Sequence, residues 1–583
     1  MRSNMHPKSV SRSLVCAALA CATFGQSHAA TPPSASGSSG GTIEGQRETQ
    51  HSYQPAVTPS DNSPWFAPPK VASIATSTVT FPLKTVKIQG ISVLSREKVE
   101  ALISPYRGRD VSLSQLQGVA DAITKLYSDA GYGLSFAVVP EQDVQDGVVR
   151  IVAVEVLIDR VSVEMSQKSA SLVAPKRIQD FLARRADSLR QERPVKVAHL
   201  EQILLSLNDM PGVKATGTIQ QGTRGQGAAR LLLTIEVTGA TASLAVDNRL
   251  RPEFGRYEYA LEGAFRSLLV VGDELTVDVA RSTAGDDFAY RSARYEAPLF
   301  GSRNTGFMSV SNADTKASRG GLAAVQFRGA EQGYHFGVTA PLVRTRSQKL
   351  SLQVEFAAID SETRMLGATV VRNRTRTIDA GLDYNFADRF MGVNQASVSF
   401  EQGISGLGAS RHNASLSKPD NVLISPLDAT PQYLLTRARI GRNQSVLGFD
   451  AAFNIDAQGV LYGLLPAPAN CAFGGATMGR AYNVSPLTGD ECVRASLQVS
   501  RQMVFNHNIR VAPFLFGDAG QIWRLGAAPV GDTNYARAQS IGFGFDIALI
   551  QGWSLNSVAA YPVGASTTNI TSPSAYFTLN YRR

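Results

Sequence analysis

Seven histidines are the first place to look for acid–base or metal chemistry, and their spacing supplies neither. None falls in H-x-x-x-H or H-E-x-x-H, the arrangements that put two imidazoles on one helical face around zinc. The chain carries no nucleophile elbow and no phosphate-cradling loop, and the GYG at 131–133 reads as a helix-to-strand turn. No metal site, no cofactor and no catalytic residue are therefore expected, and the chain is not read as an enzyme. Of the four cysteines, Cys16 and Cys21 lie near the N-terminus, whereas Cys471 and Cys492 flank a glycine-containing stretch. In an oxidising compartment that even pair is expected to form a disulfide, two free thiols being the alternative.

The compartment is legible at the N-terminus. Arg2, Lys8 and Arg12 precede an apolar run from Leu14 to about Phe24, and Ser27 and Ala29 occupy the −3 and −1 positions of a cleavage site. Residues 1–29 therefore read as a secretory signal peptide, too short to stay in a bilayer. With 43% hydrophobic and 18% charged residues, the chain is neither a helical membrane protein nor a disordered one. Its formal net charge of +9 includes three cations of the signal, so it carries little weight, and no nucleic-acid partner is inferred from it.

Residues 30–81 are rich in Pro, Ser, Gly and Thr and read as a flexible linker. From 82 the pattern becomes mixed α and β. A strand (TVKIQGISVL) is followed by a short helix beginning at Ser95. A second helix has Leu116, Val119, Ile123 and Leu126 on one face, and two strands follow, joined by a turn at Asp146-Gly147. The same order recurs with a helix near Pro175 and another carrying Leu200, Ile203, Leu204 and Leu207. Two β-α-α-β-β units are thus expected in tandem, over 82–157 and 158–239.

Beyond 240, period-two alternation replaces helical periodicity. Leu350, Leu352, Val354 and Phe356 share one strand face, and Ser351, Gln353 and Glu355 share the other. About sixteen such strands fill 240–583, among them 333–341, 348–360, 375–386 and 508–518. Connections after even-numbered strands are short, and the longest loops, near 313–332, 404–431, 465–491 and 519–536, follow odd-numbered ones. A soluble sandwich has no reason to sort loop length by parity, whereas an antiparallel outer-membrane barrel does.

Several segments resemble the TpsB family of two-partner secretion transporters, within the superfamily of POTRA-containing outer-membrane barrels. In LLSLNDMPGVKATGTI, Asn208, Asp209, Pro211 and Gly212 resemble the family's second POTRA helix and its turn. VDNR at 246–249 and VVGDEL around Gly272 and Asp273 resemble the first barrel strands. GRAYNVSPLTGD, with Gly479, Arg480, Ala481, Tyr482, Gly489 and Asp490, resembles the extracellular loop that folds back into the lumen. FLFGDAG, with Phe516, Gly517, Asp518 and Gly520, resembles the strand motif engaged by that loop.

The resemblance implies a β-dominated fold: a 16-stranded antiparallel transmembrane β-barrel preceded by two periplasmic α/β POTRA domains. It also implies a monomer in contact with outer-membrane lipid, whose partner is a secreted exoprotein client passing as unfolded polypeptide. A barrel-assembly factor and a passive porin or receptor are the alternatives; a porin would leave the α/β units idle. By strand parity Phe516 and Asp518 share the lumenal face, and Arg480 is expected to pair with Asp518 inside a wet lumen. The family commonly carries a plug helix, for which residues 31–80 show no apolar stripe.

Overall fold

The computed structural model describes residues 80–583, apart from 145, 168, 170–174, 300–302, 411–428, 483–486, 506–508, 527–533 and 565–572. The signal peptide, nearly all of the linker, and the question of a plug helix lie outside the described residues.

The first α/β unit opens two residues inside the stretch assigned to the linker. Strand β1 (Thr80–Pro82) pairs antiparallel with β3 (Asp110–Ser112), and β2 (Thr85–Gln89), β4 (Phe136–Val138) and β5 (Val148–Val154) form a sheet of order β2-β5-β4, with β2 and β5 parallel. Helix α1 (Arg96–Ile103) and helix α2 (Leu113–Asp129) cover it. A reciprocal box starts α2. The Ser112 hydroxyl accepts from the Gln115 N–H, and the Gln115 side chain accepts from the Ser112 N–H, satisfying two donors a helix start leaves open. Leu116, Val119 and Ile123 are buried as the period requires; Leu126 is half-buried and Tyr127 completes the face.

The second unit repeats the plan. Strands β6 (Leu157–Met165), β7 (Val213–Gln221) and β8 (Ala228–Val237) form a sheet of order β6-β8-β7, β6 and β8 again parallel. Helix α3 (Pro175–Ala186) and helix α4 (Val197–Asn208) bury Ile178, Leu182, Leu200, Leu204 and Leu207 against it.

Two residues after β8 the barrel begins. Its first eight strands are β9 (Ala240–Asp247), β10 (Glu258–Arg266), β11 (Glu274–Ser282), β12 (Phe288–Pro298), β13 (Thr305–Lys316), β14 (Arg328–Arg344), β15 (Gln348–Met365) and β16 (Ala368–Ala387). There follow β17 (Val393–Gly403), β18 (Leu434–Val446) and β19 (Phe449–Tyr462), then a small hairpin of β20 (Cys471–Phe473) and β21 (Leu487–Gly489). Strand β22 (Glu491–Ser500), extended by the two-residue β23 (Met503–Val504), leads to β24 (Arg510–Trp523), β25 (Tyr535–Ala548), β26 (Trp553–Val563) and β27 (Ser574–Arg582). Every neighbour is antiparallel, and β27 closes on β9 from Arg582↔Ser243 to Thr578↔Asp247. Leaving out the hairpin and β23, sixteen strands span the wall.

The expected parity holds, with shifted ends. Strands β14, β15 and β16 are 17, 18 and 20 residues long, well past the expected ranges, because polar and charged residues continue the ladder beyond the apolar band. The loop expected at 313–332 shrinks to 317–327 and holds a one-turn helix, α5 (Gly320–Ala324), while β24 runs to Trp523 into the loop expected from 519. Large apolar side chains point outward, among them Leu515 (68% exposed) and Ile440 (57% exposed). That inverts the arrangement of a soluble protein and suits only a hydrocarbon solvent. No described helix is long and apolar enough to cross a membrane; the crossing is made by strands.

Candidate functional site

On β22, β24 and β25 the even-numbered residues face inward, so the ladder places Asp518 directly between Ser496 and Ser540. Each neighbour donates a hydroxyl to it, Ser496 Oγ at 2.9 Å and Ser540 Oγ at 3.0 Å. A carboxylate on a barrel wall would ordinarily be solvated. Here the loop that follows β19 covers it with Gly479 and Arg480, and its side chain has no exposure.

Arg480 is the loop residue that makes this cover. Its guanidinium grips the carboxylate with two bonds, Nη2 to Oδ1 at 2.8 Å and Nε to Oδ2 at 3.1 Å, the fork geometry lysine cannot offer. The backbone N–H groups of Gly479 and Arg480 donate to Oδ2 as well, at 3.1 and 3.0 Å. The remaining guanidinium donors reach Gln498 Oε1 at 2.7 Å and Ser496 Oγ at 3.1 Å. Phe516, two residues before Asp518 and therefore on the same face, lies with its ring centroid 3.5 Å from Arg480 Cζ, a stacking contact. With the Arg480 side chain 7% exposed and that of Asp518 at 0%, the pair is dry. This corrects the expectation of a wet lumen: the loop itself excludes the water.

The loop is shaped to come this close. Gly479 sits at φ +75°, a left-handed conformation that glycine adopts freely, and any side chain on Gly520 would put its Cβ 2.3 Å from the Phe473 ring. Phe473, Met478, Ala481, Tyr482 and Leu487 of the loop pack with Phe514, Phe516 and Ile522 of the wall in one apolar cluster. The Tyr482 hydroxyl donates to the Gln539 carbonyl at 2.9 Å, and Ser574 Oγ donates to the Ala481 carbonyl at 3.1 Å. At the loop base Cys471 and Cys492 are disulfide-bonded. Asp490 holds the exit by accepting from the N–H groups of Leu525 (2.9 Å) and Leu465 (3.4 Å). Gly489 has no room for a side chain beside Ile522, whereas Gly517 faces outward into open space and nothing in the structure requires a glycine there.

The expected motif in the second α/β unit forms a second cluster, at the opposite end of the barrel. Asn208 closes α4 onto β7: its amide donates to the Leu204 and Ala215 carbonyls (2.8 and 2.9 Å), and its oxygen accepts from the Ala215 N–H at 2.9 Å. Pro211 and Gly212 are the central residues of a turn closed by the Val213 N–H on the Met210 carbonyl, with Gly212 at φ +69° as such a turn demands. Asp209 points away from its own unit and accepts a two-bond fork from Arg344 at the end of β14, at 2.8 and 2.9 Å. Arg346 and Glu201 add a weaker ion pair at 3.6 Å. The motif therefore docks the unit to the barrel rim. Sequence reading missed Arg344, Ser496, Gln498 and Ser540; for the last three the signal was available in their inward parity, once the register was known.

Comparison with known proteins agrees with this architecture. The family model described as "Haemolysin secretion/activation protein ShlB/FhaC/HecB" matches residues 236–545, and the "POTRA domain, ShlB-type" model matches residues 81–155. The heme/hemopexin transporter protein HuxB of Haemophilus influenzae is 23% identical over 538 residues, covering 90% of each chain. Among solved structures, CdiB from Escherichia coli superposes with a TM-score of 0.69 at 16% identity, covering 93% of this chain and 98% of that one. CdiB from Acinetobacter baumannii does so at 0.60 and 14%, covering 93% and 96%.

Proposed function

Because this chain belongs to the haemolysin secretion/activation family of outer-membrane transporters, which serve a secreted exoprotein partner, we propose that it passes that partner through its lumen as unfolded polypeptide after capture by the α/β units. The observation that carries the reading is the dry anchor of Arg480 on Asp518. A passive porin needs an open lumen. Here a loop is folded inward and fixed by five hydrogen bonds from one arginine residue, backbone included, to inward-facing groups.

The α/β units supply the entry side. The sheet edges at β2 in the first unit, and at β6 and the part of β7 beyond Ala215 in the second, offer backbone donors and acceptors to an extended chain with little demand on its sequence, whereas Thr124 caps the Ala137 N–H of β4. Docking through Asp209 and Arg344 holds the second unit at the barrel mouth. No nucleotide site is built from the described residues, and folding of the partner outside the cell supplies the direction, since a folded product does not re-enter.

Co-expression with secreted proteins from neighbouring genes tests this reading. Deleting either α/β unit should leave an inserted barrel that no longer secretes the partner; normal secretion by both deletions would return the chain to the porin reading.

A further inference from the structure

The long strands β14, β15 and β16 carry a pattern that the transport pathway does not use. Their far ends lie opposite the rim that Asp209 grips, hence on the extracellular side. On β16 the even-numbered residues face outward, since Asn373, Thr375 and Thr377 between them are buried. Read toward the extracellular end, that outer face runs Leu382, Ala380, Ile378 and then Arg376, Arg374, Arg372. The switch from apolar to basic is abrupt.

The neighbouring strands switch at the same height. One cross-strand row is Tyr334↔Ala358↔Arg376, with Tyr334 an exposed aromatic of the kind found at a membrane surface. Successive rows above it are Gln332↔Asp360↔Arg374, then Ala330↔Glu362↔Arg372, then Arg328↔Arg364. At ~3.3 Å per residue these rows run over roughly 20 Å along the strands, starting at the headgroup level that Tyr334 marks. Five arginines there face two carboxylates. Glu362 is shared by Arg364 (2.5 Å) and Arg372 (2.9 Å), and Asp360 by Arg376 (2.7 Å) and Arg374 (3.8 Å). Arg328 stands opposite Arg364, which already shares Glu362, so the face keeps a surplus of positive charge after its two carboxylates are used.

Immediately below the tyrosine row the outer wall is dented. A groove of about 590 Å³ is lined by Ile378, Phe356, Phe336, Met308 and Val338, and it reaches Gly306, over which the Leu299 side chain closes its lower end. An apolar groove within the membrane band, topped by a cluster of guanidinium groups at headgroup height, matches a ligand with acyl chains and phosphates in the same molecule. We propose that this face binds a phosphate-bearing, acylated lipid of the outer leaflet, its phosphates on Arg372, Arg374, Arg364 and Arg328 and an acyl chain in the groove. Arginine suits the task because its planar fork can hold phosphate oxygens in pairs.

The test uses the full chain in non-ionic detergent, with native mass spectrometry as the readout. The probe is a bisphosphorylated, hexa-acylated glucosamine disaccharide lipid, beside the same lipid stripped of phosphate and the same headgroup stripped of acyl chains. The wild type should retain the intact lipid about tenfold better than the dephosphorylated form. The variant Arg372→Gln/Arg374→Gln should lose about thirtyfold, on the usual contribution of each basic side chain at a charged membrane surface. Arg537→Gln, an exposed arginine on the outer face of β25, should leave binding unchanged and serves as the charge control. Retained heat-modifiable mobility of each barrel on gels shows that it is folded. Equal binding by the double variant, indifference to phosphate removal, or equally good competition by the deacylated headgroup or inorganic phosphate would each overturn the proposal.

Discussion

Replacing Arg480 by alanine strands a carboxylate that has no other route to solvent while the loop stays closed. The Asp518 side chain has zero exposure, and removing one member of a buried ion pair costs about 3–5 kcal/mol. Four weaker donors remain in place: the Ser496 and Ser540 hydroxyls and the N–H groups of Gly479 and Arg480. The penalty should therefore fall near the lower end, about 3 kcal/mol. It acts on the loop and not on the ladder, because opening the loop lets water reach Asp518 while every strand pair persists. A shift of that size moves the closed-to-open ratio about a hundredfold. Hydrogen exchange at residues 479–482 of the solubilised full chain should accelerate accordingly, secretion should fall, and barrel abundance should stay level. In Arg480→Ala/Asp518→Ala the stranded charge is gone, so the double variant should close its loop better than Arg480→Ala alone. Additive losses in this cycle, or unchanged exchange in Arg480→Ala, would refute the reasoning.

Three further outcomes are expected. Asp209→Ala or Arg344→Ala should loosen the second α/β unit from the barrel, at about 1 kcal/mol for a half-screened pair, and raise protease cleavage after residue 237 while insertion continues. Cys471→Ser/Cys492→Ser should cost the loop base on the order of 3 kcal/mol of chain entropy over its 21-residue separation, seen as faster exchange near 471–473, with the Arg480 anchor retained. In the first α/β unit, burial works against the charge on Glu155, but hydrogen bonds from Ser92, Tyr127 and the Val93 N–H outweigh it and hold its pKa below the usual 4.5. The folded state thus favours the carboxylate, so its stabilisation is full above about pH 4.5 and is lost as pH falls through the lowered value. Protection in this unit, taken relative to the intrinsic exchange rate at each pH, should fall on acidification below pH 4.5, and Glu155→Gln should flatten that dependence.

The barrel was largely legible in the sequence because its solvent is sharply divided. One strand face meets hydrocarbon and the other meets polar groups, so apolar and polar residues alternate along β22 from Val493 to Ser500, Leu497 beside Ser496 among them. Strand ends were not, since Arg372 and Arg374 extend the ladder with no apolar side chain to mark it. The Asp518 face followed from parity. Its dryness did not, for it depends on Phe473, Met478 and Tyr482 arriving from the loop and on Gly520 leaving room for them, contacts between residues far apart in the chain. In the second α/β unit the helix-and-turn motif was visible as residues, but not its partner Arg344, which lies 135 residues away and carries no local pattern of its own.

Parity on a single strand distinguishes a partner inside the lumen from one outside the barrel. A photo-crosslinking residue placed at Ser397 of β17 faces inward, whereas one placed at Val398 faces the bilayer. With a secreted partner stalled in transit by a stably folded C-terminal fusion, illumination should join the partner to position 397 and not to 398. Equal crosslinking at the two positions, or none at 397 while secretion of the unfused partner proceeds, would contradict passage through the barrel.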